Sequence, residues 1–483
     1  MLIKSLDIDK NPKLITFTQK TWGKITLAFI YAIILSFINI YPMHWKEIII
    51  ITIFLTSFIP QYRYLWIFIG MMCLLVDGSL IKYEPDWLLF KANYFFHALE
   101  NGYGKDAHPV FIKYIDILLT LIISESIIFF TRNFQRLNLM HFPITISYIF
   151  IFILIIVANQ GSLTHINTLY LWSFIIVYNH YFWFTGYTML ESRMHTKRNY
   201  LLDYGRYLPI WGFTELPYGK GSVYLSHVAA KSAEELAVTQ LKGLKLGVWA
   251  LILYGVLLLN FKFDDHFGVP TMHEAIAYYA QGNHFSMPWA WLVVLDKFFR
   301  AMLELTVMGH FIVATCRMCG FRILRNTYRP LQSPTIAEFW NRYNFYFKEL
   351  LAEFFFYPTY FVFFKKNPKL RLFFATMSAA TFGNMLFHFQ LMTPIIITDG
   401  LGTALKNFSV FTFYAVVLGI GIACSQLHNR HTAELNKEVK YKFLSPIVVL
   451  GFYALLGIFN STAQTVGISN NFKLLGSLFF ITW

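Results

Sequence analysis

The chain has 483 residues, of which 56% are apolar, 19% aromatic and only 14% charged, and its mean hydropathy is positive. Soluble domains carry roughly 25% charged residues, so a soluble globular protein is excluded and a polytopic membrane protein is expected. The formal net charge of +14 does not point to nucleic acid in such a chain. Lys and Arg gather in cytoplasmic loops of membrane proteins and set their orientation.

Polar residues with Lys4, Lys10, Lys13, Lys20 and Lys24 precede the first apolar run. They read as a basic cytoplasmic tail before a retained first span rather than as a secretory signal. A span needs about 20 mostly apolar residues. The hydropathy pattern predicts spans near 22–41, 46–59, 64–80, 109–130, 142–158, 167–190, 246–262, 288–316, 371–397, 408–427 and 444–460, with a doubtful twelfth at 471–483. Eleven spans put most Lys and Arg on one side. Arg132, Arg136, Arg193, Lys197, Arg198, Arg206, Arg317, Arg322, Arg325 and Arg329 all fall inside when the N-terminus is inside.

The expected fold class is all-α, a polytopic helical bundle of about 11–12 spans. It forms a single integral membrane domain over 1–483, with re-entrant or amphipathic helices on the cytoplasmic side. Those helices are expected in 191–245 and 317–370, which are rich in aromatics, Gly and Pro and read as neither spans nor hydrophilic linkers.

Cys316 and Cys319 form a CxxC without a second pair nearby. Structural zinc needs four ligands, so they read as reduced, small apolar residues and no metal is expected. The span 288–316 carries Asp296, Lys297, Arg300, Glu304 and His310. Asp296–Arg300 and Arg300–Glu304 are i,i+4 pairs that neutralise one another along one helix, and a conduction path is the rival reading.

The segment 339–358, "FWNRYNFYFKELLAEFFFYP", is too charged for a span. At 100° per residue, Asn341, Arg342, Asn344, Lys348, Glu349 and Glu353 fall on one half and Tyr343, Tyr346, Phe347, Leu350 and Phe354 on the other. The pattern predicts an amphipathic helix or a pair of short helices, with a break soon after Pro358. Charge alone leaves two alternatives open, a helix on the membrane surface and a helix lining an internal cavity. Glu349 and Glu353 require cations, and Arg342 is a candidate. Further on, Thr381, Asn384 and His388 recur at i, i+3 and i+7, one polar stripe on an apolar helix. An ionisable residue inside a membrane is a functional candidate, and histidine titrates near neutrality, as a general base requires.

The stretch "RNTYRPLQSPTIAEFWNRYNFYFKELLAEFFFYP" (325–358) resembles the signature region of membrane-bound O-acyltransferases. The resemblance is carried by Tyr328-Arg329-Pro330, Ser333, Phe339-Trp340-Asn341-Arg342-Tyr343-Asn344 and Tyr357-Pro358, and by His388 in the following membrane helix. It covers 325–389. The bacterial pattern G-x-W-H-G reads "NMLFHF" here, with Phe387 for Trp and Phe389 for Gly.

The resemblance implies transfer of an acyl group from a cytosolic thioester, on coenzyme A or an acyl carrier protein, to a hydroxyl acceptor. That acceptor would be a cell-envelope polysaccharide, a lipid or similar. His388 would be the general base and Asn344 the group that orients the acyl carbonyl or holds the oxyanion. Thr381 and Asn384 would line the tunnel, and Arg342 and Lys348 would attract the donor's phosphates. No bound cofactor is implied beyond the thioester co-substrate. The expected partners are the lipid bilayer, donor and acceptor, with envelope-modification proteins. The expected location is the bacterial inner membrane with a cytoplasmic N-terminus, and the content of Ile, Asn and Lys leans to an AT-rich bacterial source. The alternatives are a transporter or export component and a catalytically silent relative that binds or scaffolds.

Overall fold

A computed structural model describes residues 7–38, 43–77, 122, 126, 143–160, 165–192, 211, 216–435 and 439–481. The expected span 109–130, apart from residues 122 and 126, and the basic positions from Arg132 to Arg206 lie outside them. Among the described residues the regular structure is helical.

The chain begins with α1 (Pro12–Gln19) and α2 (Thr21–Ser36), then α3 (Met43–Phe58), α4 (Arg63–Asp77), α5 (Pro143–Asn159) and α6 (His165–Ser192). After the short α7 (Ser222–Val228) come the long α8 (Ala233–Phe267), α9 (Met272–Ala280) and the long α10 (Met287–Met318). Next come α11 (Ile336–Tyr343), α12 (Phe345–Leu351) and α13 (Tyr357–Val362). They are followed by α14 (Pro368–Met377), α15 (Asn384–Gln390), α16 (Thr393–Asn407), α17 (Ser409–Leu435), α18 (Val439–Gly457) and α19 (Ser469–Ser477).

Three stretches are long and apolar enough to cross a membrane: Ala233–Ala280, Met287–Met318 and Ser409–His428. A fourth is a bent pair, Trp45–Phe58 and Pro60–Leu74, turned by 119°. Large apolar side chains point outward on such helices, as Ile51 (58% exposed) and Leu259 (66%) do, and lipid is the medium in which that exposure carries no penalty.

Several predicted boundaries move. The helix expected to start near residue 246 starts at Ala233, so the end of the 191–245 segment is ordinary helix. The expected span 371–397 is not one helix: it ends at Gln390, and α16 restarts at Thr393. Pro394 lies in the first turn of α16, where its missing N–H is harmless. The doubtful twelfth span is the nine-residue α19, too short to cross.

The chain divides into two compact units, 1–251 with 310–324, and 252–309 with 325–483. In the first, buried polar side chains tie helices together. The Tyr31 hydroxyl lies 2.9 Å from Thr315 Oγ1, and Gln240 Nε2 donates to Ser57 Oγ (2.6 Å) and to the Met318 carbonyl (2.9 Å). Gly320 has φ +90°, and a Cβ there would strike Leu236 and the Arg63 guanidinium, so the turn after α10 requires glycine. Cys316 and Cys319 are both buried.

In the second unit, α9, α10, α17, α18 and α19 share an apolar core around Tyr279, Val294, Val410, Ile458 and Leu474. The helix α11 packs on a neighbouring cluster through Ala337 and Phe339, with Leu418, Ile422, Val449 and Tyr453.

Candidate functional site

The segment 335–358 is anchored at its start by a cap and by an aromatic stack. The Thr335 side chain caps α11 by accepting from Glu338 N at 3.1 Å. The Tyr453 hydroxyl donates to the Ile336 carbonyl at 2.8 Å, and Phe339 stacks on the Tyr453 ring at 4.0 Å.

The helix then breaks at Asn344, whose φ of −138° and ψ of 79° are not helical. A break exposes carbonyls on one side and N–H groups on the other, and burial makes each of them costly unless paired. The segment 326–328 supplies the partners. Tyr328 N donates to the Arg342 carbonyl at 2.8 Å, and Thr327 Oγ1 donates to the Tyr343 carbonyl at 2.8 Å. The Asn326 carbonyl accepts from Phe345 N at 2.8 Å, and Asn326 Oδ1 accepts from Tyr346 N at 3.1 Å. Asn326 is fully buried. Sequence reasoning missed it; its signal was an Asn just ahead of the motif Tyr328-Arg329-Pro330, a residue type that bonds backbone readily.

Beyond the break, α12 buries Tyr346, Phe347 and Leu350, the apolar half read from the sequence. The expected break soon after Pro358 is present: α13 ends at Val362 and Phe363 is extended. Ahead of the proline the chain widens into a π-helical turn over Ala352–Phe356. Proline removes an N–H and clashes with the carbonyl four residues back, and a π turn ahead of it relieves both constraints.

A second π turn, Ser378–Gly383, joins α14 to α15. The two wide turns pack on each other. A Cβ on Gly383 would lie 2.5 Å from the Phe355 ring, so only glycine admits this approach. Thr359 Oγ1 donates to Ser378 Oγ at 2.9 Å.

These turns set the polar stripe, and they split it. Thr381 donates to the Ala415 carbonyl on α17 at 3.1 Å and packs against Gly419; its hydroxyl is engaged between helices. Asn384 and His388 share α15 at i,i+4, hence one face. Asn384 is 1% exposed, and neither its Oδ1 nor its Nδ2 has a hydrogen-bond partner. The half-buried His388 ring lies 4.6 Å from Phe411, 5.3 Å from Phe387 and 5.8 Å from Phe347. Phe347 lies one turn beyond Asn344, and Asn344 Oδ1 is also buried without a partner. His388 thus lies beside Phe347, one turn beyond Asn344, and Asn384 lies one turn ahead of His388, with Ser333 Oγ a further buried and unpaired group in the same unit.

The two cations of the segment are paired locally. Arg342 Nε donates to Glu338 Oε1 at 2.7 Å, and its NH1 reaches the Gln332 carbonyl at 3.5 Å. Lys348 pairs with the adjacent Glu349 and lies 4.9 Å from the centre of the Phe345 ring. Arg342 is therefore not the cation that answers Glu349: the break at Asn344 ends the helical register that would have put them on one face.

Comparison with models of known families and with curated proteins finds no match for this chain.

Proposed function

We propose that the protein is a membrane-bound acyltransferase that moves an acyl group from a thioester to a hydroxyl. The observation that carries this reading is the convergence on Phe347 of His388, which lies 5.8 Å from that ring, and of the helix break at Asn344. These are the two landmarks of the signature resemblance, and they are far apart in sequence. An imidazole half-enclosed by aromatic rings suits proton transfer near neutrality. The unpaired Asn384 Nδ2 offers a hydrogen bond to a carbonyl and its developing charge, and the unpaired Asn344 Oδ1 can accept one. The span-length helices support a bilayer location. The distribution of Lys and Arg supports a cytoplasmic N-terminus in a bacterial inner membrane, with the thioester, on coenzyme A or a carrier protein, arriving from the cytosol.

The chemistry balances without a covalent enzyme intermediate. His388 takes the proton of the acceptor hydroxyl as its oxygen attacks the thioester carbon. The carbonyl oxygen becomes an oxyanion, the intermediate collapses to the ester, and the departing thiolate takes the proton from His388. The test is acyl transfer from labelled acyl-coenzyme A or acyl carrier protein to membrane lipid and glycan extracts by purified protein. His388→Ala should lower the rate by about 10²–10⁴-fold, the usual contribution of a general base. Transfer that survives His388→Ala unchanged refutes the assignment.

A further inference from the structure

An amide buried to 1% exposure with both polar atoms unpaired is rare in a folded protein. Each orphaned group carries its full desolvation penalty, so a position that keeps such a side chain is one where a bound group supplies the partners. Asn384 is that side chain, and three features aim it. The π turn at Ser378–Gly383 sets its direction, Gly383 lets that turn seat against Phe355, and the helical register puts it one turn from His388. Π turns concentrate at functional sites for this reason.

The orphaned atoms also divide the roles. At Asn344 the buried unpaired atom is Oδ1, an acceptor. At Asn384 the unpaired atoms include Nδ2, a donor. An oxyanion needs donors. Resting on the acyl-transfer reading above, we infer that Asn384, rather than Asn344, is the catalytic residue that donates to the thioester carbonyl oxygen as it becomes an oxyanion. The sequence suggested only that Asn384 lines the tunnel. Here it receives the central electrostatic role: its Nδ2–H bonds to the oxygen on which negative charge appears when the acceptor oxygen adds to the carbon. That bond is released when the thiolate leaves. Asn344 Oδ1 is left to accept a hydrogen bond from donor, acceptor or imidazole.

The experiment compares full-length wild type with Asn384→Leu and Asn384→Ala. Leucine keeps the volume of Asn384 and removes both polar atoms. Thiol release from acetyl-coenzyme A, palmitoyl-coenzyme A and an acyl carrier protein is followed with membrane extract as acceptor, and thermal unfolding is recorded in the same detergent. The expected result is a fall in kcat of about 10²–10³-fold, the size of losing one oxyanion donor, with KM for the thioester within about threefold. Asn384→Leu should leave the unfolding temperature unchanged or raised, since it removes two unpaired buried groups. A structural asparagine gives the opposite pair of results. Activity within threefold of wild type in both variants, or a loss matched by a lowered unfolding temperature in Asn384→Leu, overturns the inference while leaving acyl transfer standing. Wild type that releases no thiol from any of the three thioesters overturns the acyl-transfer reading, and this inference with it.

Discussion

Two polar clusters in the second unit differ in kind. Between α8 and α10, Asp264 pairs with both Lys297 and Arg300, while Asp296 lies 3.0 Å from Lys297. Asn260 bridges the set, donating to Asp296 (2.5 Å) and accepting from Arg300 (2.8 Å). This cluster is full of charge, and each of these charges has an opposite neighbour. The cluster around His388 has few charges, yet Asn344 Oδ1 and both polar atoms of Asn384 are left unpaired. Neutralised charge reads as architecture. Unpaired neutral amides read as a place awaiting a partner.

The comparison can be broken experimentally. The largest effect is expected at Asp264→Ala, which leaves the half-buried Lys297 and Arg300 without their shared carboxylate. Removing one partner of a buried ion pair costs about 3–5 kcal/mol, so thermal unfolding in detergent should show a large drop. An unchanged midpoint would show that this cluster is not structural.

Gly383→Ala comes next, because its methyl group meets the Phe355 ring at 2.5 Å. Overpacking costs about 1–3 kcal/mol, and acyl transfer should fall along with stability, since the π turn aims Asn384. Retained rate and stability would mean that the packed turns do not set the site.

Asn326→Ala removes the acceptor for Tyr346 N and should cost roughly 1–3 kcal/mol. Asn326→Ser keeps a hydroxyl oxygen that can accept from Tyr346 N and should recover part of the loss. Equal losses in the two variants would contradict the brace.

The smallest effect is a silence. Burial pushes the Cys319 thiol up to about 12, so iodoacetamide should not modify it at pH 8 until the protein unfolds. An unfolded thiol ionises near 8.5, so the contribution of this group to stability is complete below that pH and declines as pH rises toward 12. Labelling of native Cys319 at pH 8 would contradict its burial.

Much of the fold was legible because helical periodicity and apolar length are local properties. The apolar half of 339–358 emerged as buried Tyr346, Phe347 and Leu350. His388 and Asn384 were found by a stripe of polar residues in an apolar run. The features that stayed hidden depend on contacts distant in sequence. The i,i+4 rule paired Asp296 with Arg300 along one helix, whereas Arg300 in fact turns to Asp264 across to α8. The break at Asn344 depends on 326–328, which lie outside any helical window. The π turns depend on Pro358 and on Gly383 meeting Phe355, and no periodicity of 3.6 announces them. Thr381 was read as part of one stripe because the added residue in the π turn, which redirects the downstream helix, leaves no mark in sequence.

That added residue has a consequence for the phase of the helix. A π turn holds one residue more than an α turn, so deleting a single residue within 378–383 would let the chain close into a continuous α-helix. Everything downstream on α15 would keep its phase, because a π turn and an α turn each close one full circle. A deletion in the ordinary helix of α14 has no such slack and would rotate α15 by about 100°. The wide turn is thus a place where the chain can lose a residue without turning His388 away from Phe347.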